Sequence, residues 1–241
     1  MSHFIKVAAL ALITSNSVLS SASAAPMVYF GENQTPSLQV SGAPVSARNN
    51  FLASLTGVST QTFESFAVDQ GGPLSLAFNG SNGTINATLT GSGSVQSNAF
   101  ETLGRFNTTA GGSRYFDTTG SFSITFDKAI SAFGFYGTDI GDFNGNVTLA
   151  LAGGGITTLT EPNTLNGANG SLLFFGFIDP NTSYTSVTFG NTSAGYDVFG
   201  FDDFVIGDRA QVTAAVPEPA SIALLGLGLL GFVASRRKSA K

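Results

Sequence analysis

The sequence predicts an all-β protein: an antiparallel β-sandwich or barrel with one short N-terminal helix. Three observations carry that expectation. Apolar residues alternate with Ser, Thr and Ala at period two, as in Phe122, Ile124 and Phe126, or Val147, Leu149 and Leu151. The pairs Asn79-Gly80, Asn82-Gly83, Asn144-Gly145 and Asn166-Gly167 supply residues that tolerate positive φ, as tight turns require. Phe is the main packing residue, with 22 copies and no Trp. Aromatic and β-branched side chains suit one half-buried face of a pleated strand.

The elements follow in order. Residues 27–30 read as an edge strand. Residues 46–55 read as a helix, with Ser46 as cap, Phe51 and Leu55 four apart on one face, and Gly57 as stop. Strands are expected at 62–68, 73–78, 84–89, 122–126, 130–136, 147–151, 171–178, 184–189 and 198–206. Phe133, Phe135, Phe174, Phe175, Phe177, Phe199, Phe201 and Phe204 concentrate in three of them, as in a well-filled core. Many short strands with Gly and Asn turns favour a sandwich, and a jelly-roll-like one is the expected form. The sandwich proper is placed at 62–210, after an N-terminal piece at 25–61 and before a linker at 211–215.

Both ends carry addressing features. Lys6 gives a basic start, an apolar stretch runs from Val7 to Ile13, and Ala22-Ser23-Ala24 is a small-x-small cleavage site. Cleavage is expected after Ala24, since cutting after Ala25 would put Pro26 at the scissile bond. The tail has three ordered parts. Val216-Pro217-Glu218-Pro219-Ala220-Ser221 opens it, an uncharged apolar run follows from Ile222 to Ala234, and Arg236-Arg237-Lys238 closes it. A helix over 220–234 would span roughly 22 Å. That is short of the ~30 Å hydrocarbon core, and Gly226, Gly228 and Gly231 weaken it further. The run therefore reads as a transient membrane anchor, with its basic end cytoplasmic.

The hexapeptide, the short span and Arg236-Arg237 together resemble the PEP-CTERM sorting signal of exported Gram-negative proteins. The resemblance covers about a tenth of the chain. It implies cutting by an exosortase-type membrane protease near Pro217, Glu218 and Pro219, and an association with exopolysaccharide and biofilm.

Composition then narrows the chemistry of what is delivered. Between Ala25 and Val216 stand fourteen acidic residues against five basic ones, Arg48, Arg105, Arg114, Lys128 and Arg209, a net charge of −9. No basic face is available for nucleic acid. There is no Cys, and the one His is His3, inside the expected signal peptide. Disulfides, thiolate nucleophiles, Ser-His-Asp hydrolysis and His-ligated zinc are all excluded from the mature chain. Carboxylate-based glycoside hydrolysis or lysis remains, but Glu101 and Glu161 show no spacing that pairs them.

Two carboxylate groups suggest a cation. Phe63-Glu64-Ser65-Phe66 and Phe201-Asp202-Asp203-Phe204 would meet if the first and last strands lie side by side. Glu64 and Asp202 would then offer hard oxygens to Ca²⁺, with Asp203 as the alternative because neighbouring strand residues point to opposite faces. The pattern resembles the structural calcium site of jelly-roll carbohydrate-binding modules; the other reading is hydrogen-bonded strand ends. In the loop 138–146, Asp142, Asn144 and Asn146 imitate the first ligands of an EF-hand, but Val147 and Gly153 stand where Gly and Glu are required. A cation held by Asp139 and Asp142, or an Asx-rich hairpin connection, are the two readings there. Tyr115, Tyr136, Tyr184 and Tyr196 are the candidates for sugar stacking, or else fill strand edges.

The expected role is that of an exported, non-catalytic surface or matrix protein, with a glycan-binding lectin as the sharper alternative. An enzyme ranks behind both. Ice binding ranks last, because no regular Thr-x-Thr ladder occurs: Thr157-Thr158-Leu159-Thr160 and Thr108-Thr109 stand isolated.

Overall fold

Alternating Phe, Leu and Ile side chains build two antiparallel sheets packed face to face. The computed structural model describes residues 25–35, 38–97, 103–140, 142, 144–153, 155–192 and 197–213. The expected signal peptide, the hexapeptide and the apolar span at 220–234 lie outside them. Among the described residues no helix is long and apolar enough to cross a membrane.

Thirteen strands are described: β1 Met27–Asn33, β2 Thr60–Gln61, β3 Leu74–Gly80, β4 Gly83–Gly91, β5 Ser94–Ser97, β6 Arg114–Thr118, β7 Phe122–Ile130, β8 Ala132–Thr138, β9 Val147–Ala152, β10 Ile156–Thr160, β11 Leu172–Ile178, β12 Tyr184–Asn191 and β13 Phe199–Gly207. The helix α1 is Ala43–Ala53. The larger sheet runs β1-β11-β8-β13-β6-β5, with β2 also paired to β13, and the smaller runs β10-β9-β12-β7-β4-β3. The expected all-β sandwich with one short helix is therefore what forms. Residues 25–61 are integral to it, since β1 is the edge strand of the larger sheet, paired with β11.

The inner layer is phenylalanine. Phe122 and Phe189 stack in the smaller sheet, centroids 4.3 Å apart, and both meet Phe201 of the larger sheet edge-on at 5.1 and 5.2 Å. Such offset and T-shaped contacts suit the ring quadrupole and add to simple burial. The three Phe-rich strands β8, β11 and β13 are buried on both faces; on the outer one α1 packs over β1, β11 and the flank of β8, and residues 105–109 lie against β13. Gly134 and Gly176 are cross-strand partners. Their missing side chains leave a groove that Phe51 fills: a Cβ on either would lie 2.9–3.0 Å from its ring. Tyr29 and Phe174 flank Phe51 at 5.6 and 5.5 Å.

Three local expectations need correction. The helix starts three residues early, at Ala43, with Gly42 as N-cap and Pro44 in the first turn, so Ser46 lies inside the helix and does not cap it. Proline's fixed φ favours that position. Residues 62–68 do not form a strand. Only Thr60–Gln61 pairs, and then Phe63 takes φ 60 and a turn closes from Phe66 N to Phe63 O at 3.0 Å. Third, Asn79-Gly80 lies within β3, and the β3–β4 hairpin turns at Ser81-Asn82 instead.

Phe51 is fully buried and is the main anchor of the helix. Phe51→Ala should lower stability by about 3–5 kcal/mol, read as a drop in the denaturant midpoint. An unchanged midpoint would show that the helix contributes nothing to the sandwich.

Candidate functional site

The two tetrapeptides singled out in the sequence do meet. Gln61 pairs with Phe204 and Thr60 with Val205, and the Phe63 ring packs edge-on against Phe204 at 5.2 Å. Glu64 turns outward. Its Oε1 accepts the backbone N–H groups of Ser113 and Arg114 at 2.8 and 2.7 Å.

Asp202 and Asp203 differ from expectation. They were expected on opposite faces, yet Thr108 Oγ1 donates to both, at 3.1 and 3.0 Å. The reason is a β-bulge. Asp202 pairs with Tyr136 and Val205 with Gly134, so β13 carries one residue more than β8 across this stretch. Asp203 takes φ 53 to make the step, a conformation Asp tolerates better than most residues. Asp202 Oδ2 also accepts the N–H groups of Thr108 and Thr109, and Asp203 Oδ1 accepts the Thr109 hydroxyl. Burial, then the neighbouring Asp203 carboxylate, pushes the Asp202 carboxyl well above its usual range.

Residues 107–114 are thus clamped at both ends, by Asp202 and Asp203 near Thr108 and by Glu64 near Arg114. A calcium ion shared by these carboxylates would have to exchange the threonine hydroxyl bonds for metal bonds. Among the described residues no group of three or more His, Cys, Asp or Glu side chains could hold a metal.

Asp139 and Asp142 lie at one end of the larger sheet, with Asp117, Asp197 and, among the described residues, the cation Arg105. Arg105 Nε approaches Asp117 Oδ1 at 3.3 Å, and its Nη1 lies 3.8 Å from Asp139 Oδ2. Asp139, in the left-handed region at φ 63, accepts the Gly170 N–H at 2.8 Å and so ties this loop to the one before β11. Burial raises its carboxyl to about 6, helped by the Asp142 charge. Burial also raises Asp197 to about 7, and a carboxyl–carboxylate hydrogen bond with Asp142 adds to this. Sequence reading missed Asp197, Asp117 and Arg105, because only the fold brings residues 105, 117, 139 and 197 to one sheet end.

Of the tyrosines, Tyr115, Tyr136 and Tyr184 are buried and cannot present a stacking face. Tyr184 instead donates to Asp179 Oδ2 at 2.7 Å. Tyr196 lies outside the described residues, as does Glu101. Glu161 is wholly buried.

Comparison with known proteins bears on the tail. Residues 215–238 match the PEP-CTERM protein-sorting motif. The chain carries a PEP-CTERM signal. The motif implies an exported protein sorted by an exosortase, a membrane protease. No curated protein sequence matches the chain. Among solved structures, the K2 cleaved adhesin domain of Lys-gingipain is similar at TM-score 0.41 and 14% identity, over 62% of this chain and 99% of that one. TmCBM61, solved with β-1,4-galactotriose, is similar at 0.28 and 14%, over 50% and 86%. An exo-β-1,3-galactanase from Phanerochaete chrysosporium is similar at 0.23 and 17%, over 61% of this chain and 28% of that one.

The acidic sheet end makes a pH prediction. An unfolded Asp titrates near ~3.9, whereas Asp139 and Asp197 titrate at about 6 and about 7 in the fold. The folded state therefore keeps protons that the unfolded chain has lost. Stability from these two groups is complete below about pH 4 and is lost as the pH rises through about 7. In chelator, the melting temperature of the unsubstituted protein should fall more between about pH 5 and about pH 7.5 than that of Asp197→Asn. Parallel pH profiles for the two would contradict the assignment.

Proposed function

We propose that this chain is a non-catalytic protein of the cell surface or extracellular matrix, delivered by its PEP-CTERM signal and associated with the producer's exopolysaccharide. The observation that carries the proposal is the sorting motif at 215–238. The N-terminal segment acts as a cleaved signal peptide, and the short apolar run after the hexapeptide as a temporary inner-membrane anchor. The delivered domain has no His and no Cys, which supports a role without proton-shuttling or nucleophilic catalysis. Its carboxylates support the same reading. Asp202, Asp203 and Glu64 accept hydrogen bonds from residues 108–114, and Glu161 is sealed from any substrate. A cavity beneath Phe122, Phe189, Phe199 and Phe201 measures about 10 Å³, room for one water at most.

Glycan binding is the second reading. A lectin of the aromatic-platform type needs an exposed ring, and among the described residues every Tyr and Phe is buried or half-buried. Tyr196 is the remaining candidate of the four. Pull-down on the producer's own polysaccharide should retain the secreted protein. If Tyr196→Ala abolishes retention, the lectin reading replaces the bland one; absence of retention by any glycan removes both the lectin and the exopolysaccharide association.

Sorting is tested by intact mass. In a strain with the sorting protease the secreted chain should end near Pro217–Pro219, and without it the tail should remain. An unshortened chain in both strains would overturn the processing step. A structural Ca²⁺ at Glu64 and Asp202, with Asp203 as the alternative, is part of the proposal, supported by their convergence on one loop; the acidic pair Asp139 and Asp142 is the second candidate. Chelation should lower the melting temperature, and Glu64→Ala should reduce that drop. An equal drop in the variant would remove Glu64 from the site.

A further inference from the structure

Glu161 has an environment unlike that of any other carboxylate among the described residues. It is 0% exposed, and neither Oε1 nor Oε2 has a hydrogen-bond partner. The residue follows β10, the edge strand of the smaller sheet. Its backbone is fixed on both sides: Glu161 N donates to Val147 O at 2.9 Å, and Asn146 Nδ2 donates to Glu161 O at 3.0 Å. Asn163 is also buried and donates to Gly145 O at 2.9 Å, while its Oδ1 accepts from Asn146 at 3.2 Å. Glu32, from β1 at the edge of the larger sheet, reaches the same loop. Its carboxylate accepts the Thr164 N–H at 3.1 Å and the Thr164 hydroxyl at 2.7 Å.

A buried carboxylate without partners costs several kcal/mol unless something neutralises it. A proton is a poor solution here. On one oxygen it would neutralise the charge, but it would leave the other oxygen without a donor. The charged neighbour that bears on Glu161 is another carboxylate, Glu32. The oxygen groups fixed on the same loop are of the hard kind: the Glu32 carboxylate, held to Thr164, and the Asn163 side chain, held to Gly145 and Asn146. No nitrogen or sulfur ligand for zinc or copper is offered. Ca²⁺ accepts a bidentate carboxylate and completes its shell with carbonyl oxygens.

We propose that Glu161 and Glu32 hold a Ca²⁺ ion that ties the free edge of one sheet to the free edge of the other. Glu161 supplies both oxygens and Glu32 a remaining lone pair. The site uses other loops than the one clamped by Glu64, and it does not rest on a metal being bound there. Affinity in the range of extracellular calcium modules, ~10⁻⁴–10⁻³ M, is expected.

The test uses the full chain as secreted, stripped with chelator and titrated with CaCl₂. Bound calcium is measured by equilibrium dialysis and stability by thermal melting. Glu161→Gln keeps the shape and removes the charge. The unsubstituted protein should bind one more Ca²⁺ than Glu161→Gln, and its melting temperature should rise by a calcium-dependent step that the variant lacks. Glu64→Ala should keep that step. Glu161→Gln binding as much calcium as the unsubstituted protein would overturn the proposal. So would a variant that is more stable than the unsubstituted protein by the same margin with and without calcium, because Glu161 would then be a buried acid only. If Glu161→Gln fails to fold, Glu32→Gln decides: calcium affinity about tenfold or more weaker supports the site, and unchanged affinity overturns it.

Discussion

One extra residue in β13 organises the protein. Up to Asp202 the strand alternates in the ordinary way, with Phe199 and Phe201 facing the sandwich core. After the bulge the parity is reversed, so Phe204 and Ile206 face the core and Val205 faces the helix side. Without the slip, Phe204 would leave its place among Phe63, Phe133 and Phe189. A large ring would go to the outer face, and a carboxylate would take its place in the core, which is prohibitive without a partner. The slip also puts Asp202 and Asp203 on one side, where Thr108 meets both. Core registry and loop clamp are therefore one structural event. The unfavourable φ at Asp203 is held by the packing on one side and the hydrogen bonds on the other.

The same strand explains why the helix is needed. With β8 and β11 it forms the middle of the larger sheet, and those strands carry apolar residues on both faces. A sheet of that kind must be covered twice. The smaller sheet covers one face with its Phe and Leu rows; on the other, α1 covers β11 and the flank of β8 through Phe51, and residues 105–109 cover β13. The glycine pair across β8 and β11 sets how closely the helix approaches. β1 lies beneath the same helix, so the first strand and the helix act as one lid. That is why residues 25–61 cannot be separated from the rest of the sandwich.

Much of this was legible in the sequence. Period-two alternation located β3, β4, β7, β9 and β12, since each has one apolar face toward the core. The Phe-rich strands stood out as core. What was missed follows from weaker physical signals. β10 is an outermost strand with no strictly buried residue, so it lacks the alternation that marks a half-buried strand. β6 buries Tyr115 and Phe116 on successive, opposite faces, a pattern that reads as no face at all. The turn at Phe63 hid behind two phenylalanines that look strand-like, and both turn inward because Phe63 adopts positive φ. The bulge itself was readable: Phe199 and Phe201 share one parity, Phe204 and Ile206 the other, and the break falls at two aspartates. The acidic sheet end was not readable, because its members come from four separate loops and strand ends.

The acidic excess also has a physical account that needs no cationic partner. An exported chain without Cys has no covalent staples across its loops. Here side-chain carboxylates take that place by accepting backbone N–H groups far away in sequence. Asp202 holds the N–H groups of Thr108 and Thr109 while Asp203 takes their hydroxyls, Glu64 holds Ser113 and Arg114, Glu32 holds Thr164, and Asp208 holds Ser81. Where the carboxylate is ionised the bond is charge-assisted, stronger than a neutral one, and such a side chain is well suited because it only accepts while loops are rich in unpaired N–H donors. A lysine in any of these places would offer donors where donors are already in surplus. Negative charge accumulates as a by-product of fastening loops. Mutual repulsion is kept down because the carboxylates are spread over separate loops and, at the crowded sheet end, because Asp139 and Asp197 hold protons more readily than a free aspartate does. Glu161 stands outside this scheme. It fastens nothing with its carboxylate, and its full burial without a donor is the feature that hydrogen bonding alone leaves unexplained.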